Sequence, residues 1–118
     1  MNNKDIGKHG ESLASAYISQ KGLRIIERNV YSRVGEIDIV AKQLDVYHFI
    51  EVKTRLGNQY GNALESLSKK KIKNLIRLVH GYVKKNNLVN VEISVDLLAV
   101  DIGESGEISI EWIENITL

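Results

Sequence analysis

The chain has 118 residues, 43% hydrophobic and 26% charged, with a net charge of +1 and no cysteine. That length holds one domain, 1–118, with a single core; the lack of cysteine excludes disulfides and thiolate metal sites and fits a reducing cytoplasm, where the protein is expected to act. No apolar run approaches the roughly 18 residues of a membrane span, and Met1-Asn2-Asn3-Lys4-Asp5 lacks the apolar stretch of a secretory signal, so no membrane association is expected.

In chain order, residues 4–21 read as a helix, with Leu13, Ala14, Tyr17 and Ile18 at helical spacing and Gly22 as a natural stop. Glu11 lies at the border of that apolar stripe. It reads either as a snorkelling surface glutamate or as an acid that needs a cationic partner. Gly7 and Gly10 each cost a helix interior about 1 kcal/mol relative to alanine. Close approach of another backbone explains that cost, and so does a frayed first turn. Residues 23–30 read as a strand.

Two strands carry the chemistry, Gly35-Glu36-Ile37-Asp38-Ile39-Val40-Ala41 and Phe49-Ile50-Glu51-Val52-Lys53-Thr54-Arg55. Polar and apolar residues alternate in both with period two. Glu36, Asp38 and Val40 are therefore expected on one face, and Phe49, Glu51, Lys53 and Arg55 on one face of the second strand. A two-residue turn at Leu44-Asp45 sets Asp38 opposite Glu51 and Glu36 opposite Lys53. Leu-Asp lacks the Asn-Gly signature of such turns, and a slip of one residue would separate the acids. Opposed Cβ atoms stand roughly 4.5–5.5 Å apart, so two carboxylates there repel by roughly 3 kcal/mol at an effective dielectric of about 20. A cation is expected between them: Lys53 supplies part of it and a divalent metal the rest. The same alternation also fits a solvated strand face, but an aspartate amid isoleucine and valine is disfavoured in an ordinary strand.

Residues 63–85 read as one long helix, striped by Ile72, Leu75, Ile76, Val79, Tyr82 and Val83. Lys69, Lys70, Lys71 and Lys73 crowd its start, where cations are disfavoured. Phosphate contact rationalises them; a solvated face is the commoner arrangement. Residues 93–100 and 109–113 are further strands around a turn at Gly103-Glu104-Ser105-Gly106. The order αβββαββ, with a right-handed crossover through the long helix, predicts an α/β mixed β-sheet flanked by helices. Charge is split along the chain: residues 1–85 hold all 16 Lys and Arg and 8 acids, whereas residues 86–118 hold 7 acids and no base. A polyanion partner for the first part explains this, as does mutual pairing of the two parts. His9, His48 and His80 show no metal-ligand spacing.

Asp38, twelve residues, then Glu51-Val52-Lys53 resembles the PD-(D/E)XK nuclease superfamily, which has the restriction-endonuclease-like fold. More of the chain is similar to one branch, the YraN family of small bacterial endonuclease-like proteins, which also resemble archaeal Holliday junction resolvases. The matching elements are Gly7-x-x-Gly10-Glu11-x-x-Ala14, Glu27-Arg28-Asn29, Arg33-x-Gly35-Glu36-Ile37-Asp38, Phe49-x-Glu51-Val52-Lys53-x-Arg55, Gly61, and Asp96 within Val95-Asp96-Leu97-Leu98. Ile37 replaces the proline of the superfamily name, and Ser94-Val95 stands where Arg-Phe is expected before Asp96.

The resemblance implies that Asp38 and Glu51 are the main carboxylate ligands of Mg²⁺ or Mn²⁺, with the Val52 carbonyl and Glu11 completing the set. It implies that Lys53 orients the attacking water, and that Glu36 and Arg55 support the site, with Glu36 paired to Lys53 or Arg55. Hard oxygen donors of this kind select Mg²⁺ or Mn²⁺ over zinc, and close acids raise one another's pKa when no metal is bound. Metal-dependent cleavage of DNA, branched or structured, is the leading expectation, with Lys69, Lys70, Lys71 and Lys73 as phosphate contacts. A homodimer is expected because two cuts across a junction need two active sites. The alternatives are a catalytically silent nucleic-acid-binding module working with a helicase or repair partner, and an RNA endonuclease.

Overall fold

The computed structural model describes residues 2–57 and 61–117. Helix α1 (Asn3–Gln20) begins where Asn2 Oδ1 accepts the Asp5 N–H at 2.9 Å, a side-chain cap for one of the otherwise unbonded amides. It ends at Gly22, whose φ of +92° only glycine adopts cheaply. Gly10 faces the side chain of Thr54: a Cβ built at Gly10 overlaps Thr54 Oγ1 and comes within 2.8 Å of its Cβ, whereas one at Gly7 meets nothing within 4 Å. The close approach expected of Gly10 is therefore to a side chain of the neighbouring strand. Gly7 has no such reason.

Five strands follow, β1 (Arg24–Ser32), β2 (Gly35–Gln43), β3 (Val46–Leu56), β4 (Glu92–Ile102) and β5 (Ile108–Ile113), in the spatial order β1-β2-β3-β4-β5. Only β3 and β4 run parallel, so the sheet is mixed as the order of elements predicts. The β2–β3 hairpin turns at Leu44-Asp45. Its pairs run from Gln43↔Val46 to Ile39↔Ile50, the register that brings Asp38 and Glu51 together. Leu44 takes a φ of 54° to make the turn and is 88% exposed. The register prevails over poor turn chemistry because a slip would turn Ile50 out of the layer it shares with Ile39 and Ala41 and into the opposite one.

The long connection between β3 and β4 is not one helix over 63–85. Asn62 Oδ1 accepts the Leu64 N–H at 2.9 Å ahead of a single 3₁₀ turn, Leu64–Ser66. Leu67 is extended, and it buries with Ala63 against Leu97 and Ala99. Helix α2 (Lys69–Lys85) then starts with Ser68 Oγ accepting the Lys71 N–H at 3.0 Å. Two apolar anchors and an N-cap serine thus divide the segment, which leaves Lys69, Lys70 and Lys71 in the first turn of α2.

The helices cover opposite faces of the sheet. Ala14 and Ile18 of α1 pack on Ile39, Ala41, Ile50, Leu98 and Val100. Leu75, Leu78 and Val79 of α2 pack on Ile37, Val40, Phe49 and Val95. Adjacent residues such as Ile39 and Val40, or Phe49 and Ile50, go to different layers, as a pleated strand requires.

Candidate functional site

At Asp38 β2 parts from β3, and its pairing with β1 skips one position. Pairing between β1 and β2 passes from Arg28↔Ile39 to Val30↔Ile37, and pairing between β2 and β3 ends at Ile39↔Ile50. Asp38 is therefore paired with neither Asn29 on one side nor Glu51 on the other. Asn29 has a φ of 53°, a left-handed conformation that asparagine tolerates better than most residues. The face alternation slips at this point: Ile37 and Ile39 are two residues apart, yet Ile37 packs in the α2 layer and Ile39 in the α1 layer.

That slip corrects the expectation that Glu36, Asp38 and Val40 share a face. Val40 packs against α2, while the carboxylates of Glu36 and Asp38 meet Glu11 of α1. One oxygen from each of these three acids lies within 4.8 Å of the others.

Asp38 Oδ2 accepts the backbone N–H of Val52 at 2.7 Å. Burial pushes the Asp38 carboxyl up to about 9, helped next by the negative charge of Glu51 and less by Glu11; the Val52 N–H pulls the other way. Glu51 is only 8% exposed, and its Oε2 is buried with no hydrogen-bond partner. Lys71 Nζ stands 3.4 Å from that oxygen. The contact has the distance of an ion pair but not the angles of a hydrogen bond, so it counters the charge and leaves the lone pairs unbonded. Asn29 Nδ2 donates to Glu11 Oε1 at 2.8 Å and to Glu36 Oε1 at 2.7 Å, and this one amide group fixes both acids. Glu11, Val52 and the exposed Lys53 line an open cavity of about 320 Å³, bordered by Thr54 and by Asn3, Ile6 and Gly7 of α1.

Asp38, Glu51, Glu11, Glu36, Val52 and Lys53 are thus brought to one end of the sheet. Other expectations are corrected. Glu36 hydrogen-bonds Asn29, because the strands part before it could face Lys53. Arg55 forms a two-pronged pair with Asp101, Nε–Oδ1 2.7 Å and Nη2–Oδ2 3.0 Å, and donates to the Gly61 carbonyl. The parallel register Arg55↔Asp101 places these two side by side. Lys69, Lys70 and Lys73 are exposed on α2, and Lys71 reaches the acids. Two contributors escaped the sequence reading, Asn29 as the amide between two acids and Lys71 as the partner of Glu51. An asparagine inside a strand, where it is disfavoured, was the available signal for the first. For Lys71 there was none, since a helix laid over the far layer sets that contact.

The donor set suits a hard divalent cation. Every ligating atom is an oxygen, and a buried carboxylate oxygen without a hydrogen bond otherwise carries a desolvation cost of about 1–3 kcal/mol or more.

The model of the uncharacterised protein family UPF0102 matches residues 10–100. The chain belongs to this family. UPF0102 is the YraN family of the resemblance above, and its match spans Glu11, Asn29, Glu36, Asp38, Glu51, Val52, Lys53 and Lys71. A UPF0102 protein of Clostridioides difficile (strain 630) is 44% identical over 100 residues, covering 85% of this chain and 88% of the relative. One from Dictyoglomus turgidum is 38% identical over 112 residues, covering 95% and 94%. One from Shewanella sediminis is 42% identical over 109 residues, covering 92% and 88%. Among the described residues, no helix of this UPF0102 chain is long and apolar enough to cross a membrane.

A second group of ligand-type residues, His48, Asp96 and Glu114, lies toward the other ends of β3 and β4. Asp96 is 0% exposed and accepts from four donors: His48 Nδ1 at 2.7 Å, Ser94 Oγ at 2.5 Å, Trp112 Nε1 at 2.9 Å and the Asn115 N–H at 3.1 Å. Burial pushes its carboxyl upward, and the bonds from His48, Ser94, Asn115 and Trp112 outweigh that and hold it below the usual range. Four donors fill two carboxylate oxygens, so Asp96 has no lone pair left for a metal. It clasps β5 and the segment after it to β4.

Proposed function

We propose that this UPF0102 protein is a metal-dependent endonuclease that hydrolyses phosphodiester bonds in DNA. Branched or structured DNA in repair or recombination is the substrate class that the likeness to resolvases suggests. The observation that carries the reading is the buried, unbonded Glu51 Oε2 beside a buried Asp38 whose carboxyl is pushed up to about 9. Two buried acids so close are costly to a fold unless a cation joins them.

Asp38, Glu51, Glu11 and the Val52 carbonyl would hold Mg²⁺ or Mn²⁺. Such an ion lowers the pKa of a bound water and neutralises phosphoryl charge during in-line displacement. Asn29 keeps Glu11 turned toward the cluster. Asp38 must release its proton before it can ligate. Lys53 lines the same cavity as Glu11, and its ammonium donates to a non-bridging phosphate oxygen and counters the charge that develops there.

The test is cleavage of linear and branched DNA with Mg²⁺ and with Mn²⁺. Asp38→Ala and Lys53→Ala are each expected to slow cutting by about 10²-fold or more. Wild-type cutting that both variants match would mean that the site is misassigned. Salt-sensitive DNA binding that survives Asp38→Ala, with no cleavage under either metal, would favour a silent binding module. Competition by structured RNA separates the RNA reading from the DNA one.

A further inference from the structure

Four lysines, 69, 70, 71 and 73, open α2. Among the described residues Lys71 is the one in an ion pair with the acid cluster, 3.4 Å from Glu51 Oε2. The two partners differ in freedom. The Lys71 side chain is 51% exposed and that of Glu51 is 11% exposed, so the ammonium can swing into solvent while the carboxylate stays. Its main chain is anchored, because the Lys71 N–H donates to the Ser68 cap. Its charge sits at the positive end of a helix dipole, which drives it toward an anion. Glu51 supplies one anion and a phosphate would supply another.

A divalent ion competes for the same atom. Mg²⁺ binds carboxylate oxygen at about 2.0–2.1 Å, so an ion on Glu51 Oε2 would sit close to an ammonium 3.4 Å from that oxygen. Like charges at that range repel, and only Lys71 can move.

We propose that Lys71 is an internal counter-cation, held on Glu51 until a divalent ion displaces it and then transferred to a phosphate of the substrate. The proposal rests on the metal-site reading above. Metal and polyanion each draw on one half of the Lys71–Glu51 pair, so each strengthens the binding of the other, and thermodynamic linkage makes the gain reciprocal. Lys71 is thus a competitor of the ion at Glu51 and a contact residue for the phosphate.

Mn²⁺ is titrated into wild type, Lys71→Met, Lys70→Met and Lys73→Met without nucleic acid, with the free ion followed by electron paramagnetic resonance. Lys71→Met is expected to bind Mn²⁺ about tenfold tighter, within the usual range of coupling between sites. The other two variants lose the same charge from the same helix and are expected to match wild type. In a second arm, anisotropy of a labelled phosphorothioate duplex, whose linkages resist hydrolysis, reports polyanion affinity. Wild type is expected to bind the duplex about tenfold tighter with Mn²⁺ than without, and Lys71→Met to lose that gain. Lys71→Gln repeats both arms, and thermal melts check folding. Equal Mn²⁺ affinity in wild type and Lys71→Met, with binding abolished by Asp38→Asn, overturns the role of Lys71 and leaves the metal site standing. Equal tightening in all three methionine variants also overturns it, as a net-charge effect. No Mn²⁺ binding by any form overturns both readings.

Discussion

Asp38 Oδ2 accepts the Val52 N–H at 2.7 Å, so a side chain closes the ladder that two main chains leave open beyond Ile39 and Ile50. An unpaired buried amide would otherwise cost about as much as a lost hydrogen bond. The aspartate satisfies that amide and, in the same place, stands within the field of Glu51 and Glu11. A structural need and a chemical one meet on a single carboxyl group.

That double role has a pH signature. With its carboxyl pushed up to about 9 in the fold and near 3.9 in the unfolded chain, Asp38 holds a proton in the native state that the denatured state lacks between those values. Metal-free stability is expected to fall as pH rises through that window. Asp38→Asn keeps an acceptor for the Val52 N–H and removes the charge. It is expected to raise the metal-free melting temperature at pH 8 by several degrees and to flatten the pH dependence. Mn²⁺ should stabilise wild type most at the alkaline end, where the proton is easiest to displace. Melts at pH 5–9, with and without Mn²⁺, measure all three.

Gly7 and Gly10 should answer alanine with opposite signs. Gly7→Ala adds a methyl to open space and is expected to stabilise α1 by about 0.5–1 kcal/mol. Gly10→Ala drives a methyl into Thr54, a β-branched side chain that cannot yield easily, and is expected to destabilise by about 1–3 kcal/mol. Urea unfolding of the pair reads the contrast.

Ser68→Ala removes the cap of α2 and is expected to cost about 1 kcal/mol, or about 4–8 °C in melting temperature for a domain near this size. Because α2 presents Lys71 to Glu51, Mn²⁺ affinity should change in the same variant, whereas a cap lost far from the site would leave it untouched.

Asp96→Ala leaves His48, Ser94, Trp112 and the Asn115 N–H without their shared acceptor. A loss of about 3–5 kcal/mol is expected, as for other buried charges removed from their partners. In wild type the carboxyl lies below its usual range. Its contribution is therefore present above about pH 4 and is lost as pH falls through the lower native value. Trp112 is the only tryptophan, so its fluorescence reports release of the clasp during acid titration.

Much of the arrangement was legible in residue order. Ile39, Ala41, Phe49 and Ile50 demand one register, and that register placed Asp38 by Glu51 although Leu44-Asp45 is a poor turn. Glu11 stood at the edge of its helix stripe, and the structure brings it to Asp38. The helix over 63–85 was misjudged because Leu67 is apolar enough to continue the stripe; only its burial against Leu97 and Ala99 and the Ser68 cap show that the chain is extended there. The Glu36–Lys53 pairing failed because strict alternation cannot foresee a slip, and Asn29, with its left-handed φ, produces one next to the key acid.

On its own, the amino-acid order gave the five strands, the first helix and the stripe of the second, and it named the acids that a Leu44-Asp45 turn would bring together, since side-chain period along a helix or strand is a local property that each segment carries by itself. Folding in three dimensions decided where β2 leaves β3, which amide orients Glu11 and Glu36, and which lysine reaches Glu51. Those outcomes depend on two helices packing on opposite faces of one twisted sheet. They join residues far apart in the chain, whose distance no local pattern encodes.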